Sequence, residues 1–298
     1  MKKIKREHCI FTMSKNHKPI EKINSGETII FETYDCYSNQ IKSKNTPVST
    51  VKQNFNNPAT GPLYIEGAEV NDILKIEIID INISNIGTMV LRPNLGVLGE
   101  FFDETKFKVI PIRDDKAIFN EILEIPVNPM IGVIGTAPSD EDIPTCTPYT
   151  HGGNMDCKRI IKNSTVYLPV NVKGALLSMG DLHAVMGDGE VVICGLEIDG
   201  EVTVKIDIIK NKSLPLPIVI EGDHIMTIAS EKTLDDAAKQ ATKNMYKFLT
   251  NELNLDPYET GMLLSLVGNL KICQVVDPLM TARLEFPISI LKKYNYNI

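Results

Sequence analysis

Residues 174–190 of the chain, GALLSMGDLHAVMGDGE, hold one histidine, three carboxylates and four glycines between apolar neighbours. An imidazole and carboxylates gathered on one side of a backbone can bind a cation, orient a polar substrate or move a proton. In extended backbone, residues two apart face the same side, which pairs Asp181 with His183 and Asp188 with Glu190. HGGNMD at 151–156 supplies a third pair, Asn154 with Asp156. Each pair sits next to glycine, which lets the backbone approach a ligand closely. Gly153 precedes the third pair and Gly187 precedes Asp188. Such donors suit either a divalent cation site or a polar substrate pocket. Each fragment alone also reads as a turn or a hydrogen-bonded pair; their crowding into residues 151–190 leaves a shared site and separate turns as equal expectations.

Two further carboxylates stand out. Asp35 closes the strand-like run TIIFETYD, and Glu197 interrupts the apolar run ICGLEIDG. A spacing of seven residues between Glu190 and Glu197 puts them on opposite faces of a regular strand unless Gly195 introduces a bulge. Cys157, beside Asp156 and Lys158, is a possible nucleophile activated by its charged neighbours. No G-x-S-x-G nucleophile elbow, G-x-G-x-x-G turn or phosphate-binding G-x-x-x-x-G-K-[ST] loop is present.

These residues must be positioned by strands. DILKIEIIDINI (72–83) and STVYLPV (164–170) read as strands, and after residue 200 the apolar positions Val202, Val204, Ile206 and Ile208 alternate with Thr203, Lys205 and Asp207. Asp199-Gly200 between two apolar runs predicts a hairpin turn. Helical texture enters late. Leu234, Ala237, Ala238, Ala241, Met245, Phe248 and Leu249 trace one helix face, and Asp256-Pro257-Tyr258-Glu259 starts a second helix with an N-cap and a proline at its first turn. Met262, Leu263, Leu266, Val267 and Leu270 are expected to form its buried stripe. The fold class is therefore α+β and predominantly β, with barrel- or sandwich-like lobes in 1–225 and a smaller α/β part with the C-terminal helices in 226–298.

With 298 residues, 43% of them hydrophobic, the chain can bury a full core, and its net charge of −7 disfavours nucleic acid as a partner. The basic start MKKIKREH is followed by too short an apolar run for a secretory signal, no segment has the length of a membrane span, and the six cysteines are scattered singly. A reduced, cytoplasmic protein with no membrane partner is the resulting expectation.

Taken in order, these segments resemble the acetamidase/formamidase family. The likeness runs through Asp35, GPLYIEGAEVNDIL (61–74), GVIGTAP (132–138), GGNMD (152–156), YLPV (167–170), GALLSMGDLHAVMGDGE, GLEIDG (195–200), the alanine-rich helix and VVDP (275–278), so it covers nearly the whole chain. Val70 and Asn71 depart from the proline and glycine usual in the family's EGAEPGD-like segment. The resemblance implies hydrolysis of a small amide substrate such as acetamide or formamide to carboxylate and ammonia, a homodimer, and a divalent metal. Mixed imidazole and carboxylate donors suit zinc, whereas an all-oxygen set would suit calcium or magnesium. On that footing Asp156 and His183 are expected as metal ligands, completed by Asp35 or Glu197. Glu190 is expected as general base, with Asp181 orienting the His183 ring and Asn154, Gly153 and Gly187 lining the substrate position. Two rival expectations are a metal-free amidase with Cys157 as nucleophile and a noncatalytic β-barrel that binds a small ligand.

Overall fold

The computed structural model describes residues 1–52 and 56–296. Strict alternation builds its first sheet. In strand Gly200–Ile209, Val202, Val204 and Ile206 are fully buried while Thr203, Lys205 and Asp207 are partly exposed. This strand lies between Thr28–Thr33 and Ile73–Ile83, antiparallel to both. Thr165–Pro169, Ile218–Glu221, His224–Glu231, Met280–Pro287 and Asn269–Gln274 continue the sheet in that order, and Lys2–Ile4 borders its other end, for nine strands in all.

A second sheet of eleven strands has Leu177–His183 at its centre, paired with Met130–Gly135, Ala59–Glu66 and Glu197–Ile198. Every residue of Leu177–His183 and Met130–Gly135 is buried, as expected of strands covered on both faces. The main core joins the two sheets. Phe31, Ile76, Val166 and Val204 of the first pack in one cluster with Leu63, Ile134, Met179 and Leu182 of the second.

All three α-helices among the described residues lie after residue 233, two of them in the connection from His224–Glu231 to Asn269–Gln274 and one after Met280–Pro287, which agrees with the predominantly β, α+β expectation. Helix α1 (Leu234–Glu252) starts where the Thr233 hydroxyl accepts from the Asp236 amide. It buries Ala241, Met245, Phe248 and Leu249 against a second core shared with the first sheet. Helix α2 (Pro257–Val267) is capped as expected, the Asp256 carboxylate accepting from the Tyr258 and Glu259 amides. Helix α3 (Ile288–Lys293) places Leu291 in the same core.

Two expectations are overturned. Asp199-Gly200 is no hairpin, because the strands on either side belong to different sheets: Glu197–Ile198 pairs with Leu177–His183, and Gly200–Ile209 pairs with Thr28–Thr33 and Ile73–Ile83. Gly200 is required there for close approach, since a Cβ would lie 3.1 Å from the Ile83 Cα, while Asp199 is held by Arg6 at 2.7 Å. The α2 stripe is split: Met262 and Leu266 are exposed, Leu263 and Val267 pack partly buried against the second core, and Leu270 lies on edge strand Asn269–Gln274. Thr260 and Leu264 are buried instead, because that face meets the protein.

Arg283 ties the sheets together. It is buried on strand Met280–Pro287, with Nη1 and Nη2 donating to the two Asp188 carboxylate oxygens at 2.8 and 3.1 Å and Nε donating to Glu285 at 2.8 Å. Asp188 belongs to the loop between strands Leu177–His183 and Glu197–Ile198 of the other sheet. Arg283→Ala removes the buried cation shared by Asp188 and Glu285 but leaves Lys158 on Asp188 at 3.1 Å, and should destabilise the protein by roughly 1–3 kcal/mol, read from urea unfolding.

Candidate active site

The site begins with a change of phase in two adjacent strands. Leu177 and Met179 point into the main core, but so does Leu182, and its neighbour strand does the same with Ile131 and Ile134. The paired register runs Ile131↔Leu182 and Val133↔Gly180, leaving Gly132 and Asp181 opposite one another without a ladder pair. Asp181 has a φ of 56°. The break turns Asp181 and His183 together to the face opposite Leu182, so the pairing expected from alternation is realised. Gly132 is indispensable there, because a Cβ would lie 2.7 Å from Asp181 Oδ2 and press on Asp156 Oδ1.

Three more segments close around His183. Glu197 is its direct cross-strand partner. Asp156 follows strand Gly152–Asn154, which pairs with Met130–Gly135. Glu190 comes from the loop after His183, so strand-face parity does not govern it. The loop is fastened to the first sheet by the Arg283–Asp188 pair and by hydrogen bonds from the Gly189 amide to the Cys273 carbonyl at 2.9 Å and from the Val275 amide to the Gly189 carbonyl at 3.2 Å. From His183 Nε2, Glu197 Oε1 is 3.1 Å away, Asp181 Oδ1 3.7 Å, Asp156 Oδ1 3.8 Å and Glu190 Oε1 4.0 Å. All five side chains are buried.

These groups lack the partners that burial normally demands. Both Asp156 oxygens, Asp181 Oδ1, Glu190 Oε2, Glu197 Oε2 and both His183 nitrogens make no hydrogen bond, Glu197 Oε1 lying near the ring but out of line for one. Asp156, Asp181 and Glu190 also all adopt positive φ, a region sparsely occupied by non-glycine residues and concentrated at functional sites.

Electrostatics follow from crowding. Burial first, then the Asp181 charge, raises the Asp156 carboxyl to about 6. Burial raises Glu197 to about 8 against the attraction of His183. Glu190 is pushed well above the carboxylate range by burial and by Asp156. Burial disfavours the His183 cation, yet the charges of Glu197 and Asp181 outweigh it and raise the imidazole well above its ordinary value. The cluster is short of positive charge.

A divalent metal fits this donor set. One ligand atom each from Asp156, His183 and Glu190 lies within 4.8 Å of the others, and so do those from Cys36, Asp181 and Glu197. Their unpartnered oxygens and nitrogens and the Cβ-free space at Gly132 make a cradle for a cation.

The structure thus brings together Asp156, Asp181, His183, Glu190 and Glu197. It places Asp35 elsewhere: its Oδ1 accepts from the Tyr37 and Asn39 amides at 3.0 and 2.6 Å, holding a turn, while the adjacent Cys36 reaches the acidic group. Asp188 turns to Arg283 and Lys158 and does not share a face with Glu190. Asn154 points Nδ2 at Asp277 Oδ2, 2.9 Å away, and leaves Oδ1 unpartnered. Gly153 is packed, at φ 84°, 3.1 Å from His151 Nε2 at its would-be Cβ, whereas Gly187 borders open space. Cys157 joins the apolar core with Cys273.

Sequence reasoning missed Asp277 and Asn57 as site residues. Asp277, in VVDP, is held by its amide donating to Gln274 Oε1 at 3.0 Å, and its carboxyl is raised well above the usual range by burial and by Asp156. Asn57 donates to Asp181 Oδ2 at 3.0 Å. Both lie in turns marked by an adjacent proline, a signal that locates a bend but not its partner.

The model of the acetamidase/formamidase family matches residues 13–144 and 140–293. The crystal structure of an acetamidase from Bacillus halodurans is 49% identical, with a TM-score of 0.97 over 99% of this chain and 100% of that one. A predicted acetamidase/formamidase from Thermoanaerobacter tengcongensis is 43% identical with a TM-score of 0.97, covering 99% of this chain and 98% of that one. A Schizosaccharomyces pombe protein named as a formamidase is 30% identical over 257 residues, 64% of this chain. The match spans 62% of that relative's own length.

The crowding predicts a pH dependence. Asp156 at about 6 and Glu197 at about 8 keep protons that the unfolded chain releases near the ordinary carboxylate values of about 4. The native state then binds more protons, so in chelator-treated protein stability is highest near pH 4 as far as these groups go and falls as pH rises to about 8. A divalent cation bound there would supply the missing charge, so its stabilising effect should be larger at pH 8 than at pH 5. Thermal melts with and without added zinc at stepped pH measure both trends.

Proposed function

The chain belongs to the acetamidase/formamidase family, and we propose that it hydrolyses the carbon–nitrogen bond of small amides such as acetamide and formamide. The observation that carries this reading is the group of four buried carboxylates within 4.0 Å of one imidazole nitrogen, most of their oxygens unpartnered. Such a group is costly to bury unless it holds a cation and handles protons.

Asp156, His183 and Glu197 would hold a divalent metal. The imidazole among carboxylates favours zinc over calcium or magnesium. When bound, the metal polarises the amide carbonyl and lowers the pKa of water toward neutrality. Glu190 takes the proton from water and returns it to the amide nitrogen. The water oxygen forms the new bond to the acyl carbon, the carbon–nitrogen bond breaks, and nitrogen leaves as ammonia while the acyl group becomes a carboxylate. Asp181, fixed by Asn57, holds the His183 ring in place. Asn154 uses its free Oδ1 to accept an N–H of the substrate amide, its own amide nitrogen being tied to Asp277. Gly187 gives the substrate room.

A cysteine nucleophile is less well supported, because Cys157 packs into the apolar core and takes no part in the acidic group. A noncatalytic binding role gives no account of the unpartnered acids. Homodimer assembly and a cytoplasmic setting follow the family likeness; no helix among the described residues is long and apolar enough to cross a membrane.

Ammonia release from formamide and acetamide, paired with elemental analysis, tests the assignment. Glu190→Gln should keep the metal and lower kcat by about 10²–10⁴-fold. His183→Ala should lower metal content and rate together. Near-normal turnover in both variants would refute these roles.

A further inference from the structure

Beside the acidic group lies a cavity of about 370 Å³ that acetamide cannot account for. Its walls are apolar: Met89, Ile110, Ala117, Phe119, Val185 and Leu196 line it, and Glu190 reaches it from the site side. Gly195 borders both spaces, since it lines the cavity and its would-be Cβ lies 2.6 Å from His183 Nδ1. The cavity is therefore one residue thick from the reacting groups. Small-molecule pockets typically measure roughly 300–1,000 Å³ and are apolar with a few placed polar groups, and this one meets that description with two carboxylates on its lining, Glu190 and the Arg283-paired Asp188.

We propose that this cavity binds the acyl group of the substrate, and that the preferred substrates are primary amides carrying a larger apolar acyl chain than acetyl. The assignment rests on the amidase reading and deepens it. An amide whose nitrogen meets Asn154 and whose carbonyl carbon sits beside Glu190 directs its acyl substituent past Gly187, where no atom lies within 4 Å of a would-be Cβ. Hydrolysis proceeds as for acetamide: water adds its oxygen to the acyl carbon, the carbon–nitrogen bond breaks, ammonia leaves and the longer carboxylate remains. Formamide and acetamide fit the same centre but leave the apolar walls uncovered. Each methylene transferred from water onto those walls should raise kcat/KM by about fourfold, provided it is buried.

The test is a chain-length series of formamide, acetamide, butyramide, hexanamide and phenylacetamide, assayed for ammonia with zinc-supplied protein. The expected result is kcat/KM rising from acetamide to hexanamide. Ala117→Phe, which fills the cavity, should lower the ratio of hexanamide to acetamide turnover. Phe119→Ala, at a partly buried position that the fold tolerates more readily, should move the optimum to longer chains. Calorimetry supplies a readout independent of turnover: hexanoate should bind more tightly than acetate, with a more negative heat-capacity change. Highest kcat/KM on formamide or acetamide, or a ratio unmoved by both substitutions, overturns the acyl pocket while leaving the amidase reading intact. Ammonia from none of the amides overturns the amidase reading, and the substrate assignment with it.

Discussion

Repulsion among buried carboxylates is the constraint on which the rest of the molecule turns. Asp156, Asp181, Glu190 and Glu197 surround His183 in a medium where like charges cannot all ionise without a cation. Left to local preference these side chains would separate and seek water. What keeps them together is the rigidity of two sheets and the main core between them, and the strain appears in the backbone, where three of the four carry positive φ. The core thus offsets the cost of a site that is unfavourable when taken alone.

The means of assembly differ from one residue to the next. His183 and Glu197 meet because sheet register places them opposite each other. Asp156 and Asp181 meet across Gly132, where the absence of a side chain leaves the space they occupy. Glu190 depends on a loop held from outside by Arg283, whose planar guanidinium matches the Asp188 carboxylate with two hydrogen bonds. Register, void and strap are three separate solutions to one positioning problem.

Local periodicity explains how much of this was legible in the sequence. Asp181 and His183 share a face as alternation expects, and the Val202–Ile206 and Ala237–Leu249 patterns mark their elements correctly, since each reflects burial on one side of a regular backbone. Periodicity fails where backbone regularity ends. Asp188 and Glu190, two apart, diverge because they lie in a loop, and Asp199-Gly200 carries turn chemistry at a point where the chain changes sheets. The α2 apolar row shows the converse failure, a pattern of which only Leu263 and Val267 find a covering surface. Asp277 and Asn57 were out of reach, because a contact between a turn and a residue more than a hundred positions away leaves no local trace.

That long reach has a bearing on how the chain acquires its shape. Asn154 joins Asp277, and Asn57 joins Asp181, only when distant stretches of polypeptide have already come to rest side by side. Until such contacts have set the cluster in place, its carboxylates and imidazole offer an ion little to grasp. An ion held here as proposed would act as a keystone set into a standing arch: the masonry must be raised first, and the last piece would lock it.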